Sequence, residues 1–336
     1  MAMLEVRDLH TSFFTPAGEV KAVNGISFNL DHGKVLGIVG ESGSGKSVTA
    51  YSILQILTHP GRIVSGSIKF NGQELVGSGE HVMRTIRGNK ISIIFQDPMT
   101  SLNPVSTIGN QLRETIRLHT DRNAEQAQAR AIEMLQLVGI NEPEKRLKQY
   151  PYELSGGMRQ RVMIAIALAC TPELIIADEP TTALDVTIQA QILDLLRDLK
   201  DKINSSIMLI THDLGVVANM ADYVVVMYAG RVIEKGTAEE IFHNPCHPYT
   251  IGLMKSKPVV GKKVEELYNI PGSVPNPVDM PNYCYFKDRC EMQCEHCSGK
   301  YPPEIKISDT HIVSCYRYLD QGEVMGYPKS TNVEEL

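Results

Sequence analysis

The chain has 336 residues, of which 43% are hydrophobic, so it is long enough for about two domains with a substantial core. Its formal net charge of −6 argues against a protein whose main task is to bind nucleic acid. The first residues lack an apolar signal core, and no apolar run nears the roughly 18 residues of a membrane span, so the sequence predicts a chain kept in the cytosol.

Two strands are predicted near the start of the chain, at residues 4–12 and 20–30, and they form an antiparallel flap around the loop 14–18. Phe13 and Phe14 lie in this flap. Aromatic residues in strands usually belong to a core, but an accessible ring can stack on a flat nucleobase. The flap therefore offers two alternative candidates for a base-stacking side chain.

A glycine-rich stretch, GESGSGKS at residues 40–47, follows the apolar run 35–39 and fits the phosphate-loop pattern G-x-x-x-x-G-K-[ST]. Its glycines let backbone N–H groups approach phosphate oxygens, and a helix predicted from Val48 to about Leu57 points its positive end at the same anion. The pattern assigns Lys46 to the β and γ phosphates and Ser47 to Mg²⁺. The candidate nucleotide-binding residues here are Gly40, Ser42, Gly43, Gly45, Lys46, Ser47 and Val48.

The next predicted strand, residues 91–95, ends in Gln96, at the carboxyl end where open α/β sheets place ligand-binding groups. The pattern then becomes helical and polar, which indicates an inserted helical subdomain at about 105–170 whose clearest helix is 124–138. Within it, Ser155, Gly156 and Gly157 precede the apolar helix 162–169. A helix cap alone explains Ser155 but not both glycines, so these residues are predicted to form a second anion site.

Two more apolar strands end in polar residues. Strand 174–177 is followed by Asp178 and Glu179, and adjacent carboxylates in that position are costly unless cations are near. We therefore expect Asp178 to hold Mg²⁺ and Glu179 to polarise the attacking water. Strand 207–210 precedes His212, and the other polar strand ends make this histidine a further site candidate.

The remainder of the chain changes character. Residues 223–228 and 231–234 predict a hairpin joined at Ala229 and Gly230, and Thr237 with Glu240 forms a capping box that begins a helix. Beyond 247–250 the composition shifts to proline-rich loops. The sequence thus predicts a nucleotide-binding domain at 1–256 and a small appended domain at 257–336.

In their order and spacing, these motifs resemble the nucleotide-binding subunit of an ABC transporter; the signature Leu-Ser-Gly-Gly at 154–157 is particular to that family. More narrowly, residues 96–104, 180–187 and 247–250 are similar to importers of dipeptides and oligopeptides and to their nickel-importing relatives. The resemblance covers residues 4 to about 318. It implies an α/β phosphate-loop NTPase of ABC type with an antiparallel flap, an inserted helical subdomain and a small C-terminal cysteine-rich domain.

The resemblance also implies roles for individual residues. Phe13 or Phe14 would stack on adenine, and Gln96 would contact the γ-phosphate and Mg²⁺. Glu179 would act as the general base, with His212 aligning the γ-phosphate and the water. The residues that would complete the site across a dimer seam, enclosing two ATP molecules head to tail, are Ser155, Gly156, Gly157 and Asp185. Met158 stands where the family usually has Gln, and no loss of activity is expected from it.

Five of the seven cysteines lie together, at Cys284, Cys290, Cys294, Cys297 and Cys315. Such a cluster in a small domain with little apolar content indicates a metal centre, and four thiolates suit either Zn²⁺ or an iron–sulfur cluster. The resemblance implies the pattern Cys-x5-Cys-x6-Cys with a later Cys, which matches Cys284, Cys290, Cys297 and Cys315 and leaves Cys294 as a spare or competing ligand. It favours a 4Fe–4S cluster over zinc. The alternative is a set of reduced, unligated thiols.

The function that the resemblance implies is ATP hydrolysis that powers import of dipeptides or oligopeptides at the cytoplasmic face of the membrane. The implied partners are a second ATP-binding subunit, identical or homologous, two transmembrane permease subunits and, indirectly, an external peptide-binding protein; no nucleic acid is expected. Alternatives are an importer of nickel or another small solute, or a soluble ABC ATPase that acts on DNA or ribosomes. A regulatory role of the cysteine domain as a redox or metal sensor is compatible with transport.

Overall fold

The structure is a computed structural model that describes residues 2–181, 186–256, 268–278, 280–320 and 323–325. The chain divides into two compact units. The first consists of 1–3, 30–35 and 77–211, and the second of 4–29, 36–76 and 212–336. The predicted Asp185 and the stretch 257–267 just beyond the predicted domain boundary lie outside the described residues.

The strands of the described part are β1 (Ala2–Thr15), β2 (Gly18–Asp31), β3 (Val35–Val39), β4 (Gly61–Phe70), β5 (Gln73–Glu74), β6 (Ile91–Ile94), β7 (Leu174–Asp178), β8 (Ser206–Thr211), β9 (Tyr223–Tyr228), β10 (Arg231–Thr237), β11 (Ile305–Lys306), β12 (Ile312–Val313) and β13 (Glu323–Val324). The α-helices are α1 (Lys46–Leu54), α2 (Glu80–Ile86), α3 (Pro98–Ser101), α4 (Ile108–His119), α5 (Ala124–Leu137), α6 (Pro143–Arg146), α7 (Gly156–Leu168), α8 (Val186–Ile203), α9 (Leu214–Met220), α10 (Ala238–His243) and α11 (Pro248–Lys255).

In the first unit, β6, β7 and β8 form a parallel sheet in that order. All five residues of β7 and all six of β8 are buried, as expected for strands that are covered on both faces. Helix α7 packs on β6 and also contacts α4 and α5. Helix α5 begins with a capping box between Asn123 and Gln126 and ends one residue before the predicted end of its pattern, so that prediction is confirmed.

In the second unit, six strands follow the order β13-β11-β12-β10-β9-β3. Strand β9 runs parallel to β3 and antiparallel to β10, so the predicted hairpin is confirmed, although β10 extends to Thr237. The predicted capping box between Thr237 and Glu240 is present at the start of α10. The C-terminal region joins this sheet because β12 pairs with β10, with Val313 opposite Glu234.

The second unit also contains the N-terminal antiparallel sheet, in the order β2-β1-β4-β5. Strands β1 and β2 are longer than predicted and leave only a short turn, in which the Thr15 hydroxyl donates to the Gly18 carbonyl oxygen. Helix α1 ends at Leu54, earlier than the predicted Leu57, because Gln55 adopts a left-handed conformation and its N–H bonds back to the Ser52 carbonyl oxygen. This residue forms a C-cap that ends the helix.

Candidate functional site

The phosphate loop of the second unit connects β3 to α1 and holds Lys46 at the first position of the helix. The Lys46 side chain is only 5% exposed, and its Nζ donates to the carbonyl oxygens of Gly40 (2.8 Å) and Glu41 (2.9 Å). A buried ammonium needs such acceptors. The loop thus places a fixed cation at the N-terminus of α1, where the helix dipole also favours an anion.

The backbone of this loop depends on glycine. Gly45 has φ +96, and a Cβ atom built there would lie 2.4 Å from the Ala22 carbonyl oxygen, so a side chain does not fit. Gly43 has φ +79 and faces open space. Ser44 is buried, and its Oγ has no hydrogen-bond partner among the described residues. A buried hydroxyl without a partner is uncommon, and a phosphate oxygen is a ligand that would satisfy it.

Ser44 was not among the predicted residues, and the predicted residues of the loop differ in exposure. Ser42 is exposed, whereas Ser47 and Val48 are half-buried in the first turn of α1. The structure therefore gives the loop the backbone and the charge that a nucleotide phosphate group requires.

In the first unit, Gln96 and Glu179 come together, 83 residues apart in the chain. The Gln96 Nε2 donates to Glu179 Oε2 at 3.0 Å. Glu179 has a left-handed backbone (φ 47), and its N–H donates to the Ile210 carbonyl oxygen at 2.8 Å. Asp178 ends β7 and is 2% exposed. The Gln96 amide thus holds the half-buried carboxylate of Glu179, and the buried carboxylate of Asp178 belongs to the preceding residue.

Ser155 caps helix α7, where its Oγ accepts from the Met158 N–H at 3.4 Å. Ser155 and Gly156 are exposed and Gly157 is half-buried. A Cβ atom built on Gly156 meets nothing within 4 Å. The N-terminus of this 13-residue helix is therefore open to an anion that approaches from outside the unit.

The remaining predicted residues lie at the surface or are partly covered. His212 follows β8 and is exposed. Phe14 is 39% exposed with the guanidinium of Arg62 4.1 Å from its ring centre, whereas Phe13 is half-buried and opposite Gly61 in the sheet.

Four of the five clustered cysteines line one pocket: Cys284, Cys290, Cys297 and Cys315. Burial, together with the neighbouring thiols, raises the pKa of the Cys284 and Cys315 thiols to about 12. Cys294 does not line this pocket, although its sulfur lies 3.5 Å from that of Cys297. No three of the five sulfurs, all of which belong to described residues, lie within 4.8 Å of one another.

Sequence reasoning missed a buried cluster formed by Glu234, Cys246 and His311. The Glu234 carboxylate accepts from His311 Nε2 (2.8 Å) and from the backbone N–H groups of Cys246 (2.6 Å) and His247 (2.9 Å). These residue types also occur in metal sites, but the polar atoms of Glu234 are already paired within the protein. Cys246 lies 12 positions from Glu234 but His311 lies 77 from it, and no local pattern indicates their contact.

Comparison with known proteins agrees with this geometry. The family model described as "ABC transporter" matches residues 23–182, and the model "Oligopeptide/dipeptide transporter, C-terminal region" matches residues 233–297. The oligopeptide transport ATP-binding protein OppD of Bacillus subtilis (strain 168) is 53% identical over 316 residues, which cover 94% of this chain and 88% of OppD. The chain belongs to the ATP-binding subunits of oligopeptide and dipeptide ABC transporters.

Other relatives agree with this family assignment. The dipeptide transport ATP-binding protein DppD of Escherichia coli (strain K12) is 47% identical over 95% of this chain and 98% of DppD. The ATP-binding cassette MJ0796, in a dimeric post-hydrolysis state bound to ADP and Pi, superimposes with a TM-score of 0.64 at 26% identity, over 70% of this chain and 99% of the cassette.

The chain thus has the ABC ATPase cassette fold with mixed α/β sheets. As a member of this family it is an ATPase subunit that powers peptide import by an ABC transporter, and such ATPases work as dimers with membrane permeases. Within the described residues, no helix combines the length and the apolar character needed to cross a bilayer.

Proposed function

We propose that this chain hydrolyses ATP with Glu179 as the general base, in a head-to-tail dimer whose closure drives the import of short peptides. The observation that carries the proposal is the hydrogen bond from Gln96 to Glu179, beside the buried Asp178 at the end of β7. A general base must be held within reach of the water that it polarises, and Gln96 provides that constraint. His212 completes the assignment as the residue that aligns water and γ-phosphate.

The phosphate loop supplies the positive charge in this proposal. Phosphoryl transfer needs positioning and charge stabilisation more than covalent chemistry, and Lys46, the loop N–H groups and the Ser44 hydroxyl provide both. We assign Ser47, Gln96 and Asp178 to hold Mg²⁺, which when bound neutralises charge on the phosphates. Phe14 is preferred over Phe13 for adenine stacking because its ring is the more exposed.

The partner subunit is assigned to the open end of α7. Ser155, Gly156 and Gly157 offer a helix N-terminus that lies at the surface, as a group that completes another subunit's site must. Asp185, which lies outside the described residues, stays a predicted part of the dimer seam.

This composite arrangement can be tested by mixing two inactive variants, Lys46→Ala and Gly156→Asp. Each variant alone leaves both sites of its dimer defective. A mixed dimer, however, pairs the intact loop of one subunit with the intact signature of the other, so ATPase activity returns on mixing. Gly79→Asp is the matched control, because a Cβ atom there also meets nothing within 4 Å, and it should keep the parent rate. If the parent hydrolyses ATP and mixing restores nothing, each subunit encloses its own nucleotide and the proposal is wrong.

A second part of the proposal assigns a 4Fe–4S cluster to Cys284, Cys290, Cys297 and Cys315, with Cys294 as a spare thiol. The four thiols line one pocket, and burial and mutual repulsion oppose their ionisation until a cation is present. Tetrahedral Zn²⁺ with Zn–S bonds of about 2.3 Å would bring its sulfurs to about 3.8 Å from each other. No three of the described sulfurs lie within 4.8 Å of one another, so the thiols are not already arranged as a tetrahedral zinc site. The test is absorbance near 400 nm with iron and zinc analysis of protein purified without oxygen; colourless, iron-free protein contradicts the assignment.

In this proposal the chain lies at the cytoplasmic face of the cell membrane. Its partners there are two permease subunits and, indirectly, an external peptide-binding protein. The predicted division at 256/257 into an ATPase domain and a cysteine-rich domain belongs to the same proposal. Importers of nickel are the alternative substrate class. Transport by the assembled system is tested with short peptides and with Ni²⁺: uptake of Ni²⁺ in preference to peptides rejects peptide import.

A further inference from the structure

Glu41, the second residue of the phosphate loop, is bound on three sides. Its backbone N–H donates to the Tyr249 Oη at 2.8 Å, and its carbonyl oxygen accepts from Lys46 Nζ at 2.9 Å. Its carboxylate accepts two hydrogen bonds from Arg289, one from each terminal nitrogen, at 2.8 and 3.2 Å. Glu41, whose carbonyl oxygen binds Lys46, is therefore itself held by Tyr249 of α11 and by Arg289 of the C-terminal region.

Arg289 is fixed independently of Glu41. It is 8% exposed, its Nε donates to the Pro271 carbonyl oxygen at 2.8 Å, and one terminal nitrogen also donates to Tyr228 Oη at 3.3 Å. The guanidinium lies 5.7 Å from the ring centre of Tyr228 and 5.8 Å from that of Phe286. An arginine keeps its charge at any physiological pH, and this one has little freedom to move.

Charge makes this contact matter for nucleotide binding. Glu41 lies within the loop that is assigned to the phosphates of ATP, and a carboxylate there would repel them. The bidentate contact with Arg289 neutralises that carboxylate and turns it away from solvent; its side chain is 27% exposed. The N–H and carbonyl groups of Glu41 then remain in the positions that orient Lys46.

We propose that Arg289 is a positioning residue of the phosphate loop: it neutralises and fixes Glu41 so that the loop binds ATP. The proposal rests on the assignment of the ATP site to residues 40–47, but not on any metal in the cysteine pocket. Because Arg289 belongs to the C-terminal region, its contact with Glu41 links that region to the nucleotide site.

The test compares the KM for ATP of the full-length parent, Arg289→Gln, Glu41→Gln and the double variant. Arg289→Gln leaves a bare carboxylate beside the phosphates, so its KM should rise by about tenfold while kcat changes by less than about twofold. Glu41→Gln removes the carboxylate and should change KM by less than about threefold. The double variant should match Glu41→Gln, because the charge that Arg289 compensates is absent from it.

The outcomes separate three accounts. If the KM of the double variant is as high as that of Arg289→Gln, Arg289 acts on ATP or on folding rather than through Glu41, and the proposal is overturned. If Arg289→Gln leaves KM unchanged, the contact does not serve the loop at all. If Lys46→Ala hydrolyses ATP as the parent does, the proposed ATP site itself is wrong, which distinguishes its failure from that of this inference.

Two further variants guard against a folding defect. Arg289→Lys keeps the charge beside Glu41 but loses the bidentate geometry, so its KM should lie between those of the parent and Arg289→Gln. A rise as large as that expected for Gln contradicts the charge argument. Lys306→Gln removes a cation from an ion pair of the same length, 2.8 Å to Asp309, elsewhere in the C-terminal region, and should leave KM and kcat unchanged. If Arg289→Gln does not fold, Arg289→Lys and Glu41→Gln still decide the question, because a large increase in KM for either one overturns the proposal.

Discussion

The buried pair of Glu234 and His311 predicts a stability that falls as the pH rises above neutrality. Burial lowers the pKa of His311, but the hydrogen bonds and charges of Cys246 and Glu234 outweigh it and raise the pKa to about 10. In the unfolded chain the imidazole titrates near its ordinary pKa of about 6.5. Its stabilising contribution is therefore complete below pH 6.5 and is lost as the pH rises through the folded-state pKa.

The size of the effect follows from proton linkage. Between pH 6.5 and 8.5 the unfolded chain releases a proton that the folded chain keeps, at about 1.4 kcal/mol per pH unit, so the pair loses about 2.5 kcal/mol of stability. With an unfolding entropy of about 0.7 kcal/mol/K for 336 residues, that corresponds to a melting temperature lower by about 3–4 °C. No discount for solvent screening is needed, because the two side chains are 0% and 4% exposed.

The assay is denaturant unfolding of the parent and of His311→Gln at pH 6.5, 7.5 and 8.5. Removal of one partner of a buried pair costs about 3–5 kcal/mol, so the variant should be much less stable at pH 6.5. The difference in unfolding free energy should then shrink by about 2.5 kcal/mol at pH 8.5, because only the parent loses the contribution. Thiols of the unfolded chain begin to ionise near pH 8.5, but parent and variant have the same cysteines, so this contribution cancels in the difference.

A difference that stays constant over this range would refute the reasoning, since it would mean that His311 gains no proton on folding. His243→Gln, at an exposed position on α10, controls for the removal of one histidine.

Three other outcomes are expected. Glu179→Gln should bind ATP, lose about 10²–10⁴-fold in hydrolysis and accumulate as a closed dimer in gel filtration; hydrolysis at the parent rate would show that Glu179 is not the base. Burial lowers the pKa of His247 to about 4 against the opposing charge of Glu234, so protonation of this histidine should cost the parent about 3 kcal/mol of unfolding free energy between pH 6.5 and 4. His247→Asn should keep the cap of α11 without that cost. Equal loss of stability in acid by parent and variant would contradict this prediction. Cys290→Ser should lose absorbance near 400 nm and bound iron whereas Cys294→Ser keeps both, and equal iron content would reject this choice of ligands.

Local patterns in the sequence predicted much of the fold correctly. The capping box of Thr237 and the ends of β9 are encoded within a few residues, as is the helical periodicity of α5. Strand β4 was not predicted, because Gly and Ser interrupt its alternation and its partner, β1, lies far away in the chain. A strand that depends on such a pairing has a weak signal of its own.

The candidate site divides in the same way. The phosphate loop is a contiguous motif whose glycines and Lys46 have fixed spacing, so the sequence suffices to predict it. The contact of Glu41 with Arg289 joins residues 248 positions apart, and that of Glu234 with His311 joins residues 77 apart. Neither pair has a spacing that carries information, so only the tertiary structure reveals them.

These long-range contacts link the stability of the C-terminal region to nucleotide binding. Glu234 binds the backbone of Cys246 and His247 directly before α11, and Tyr249 of that helix accepts from the N–H of Glu41. A variant that weakens the Glu234 pair therefore also loosens a support of the phosphate loop. Loss of ATP affinity should accordingly accompany the loss of stability in His311→Gln, even though His311 itself contacts Glu234 and not the loop.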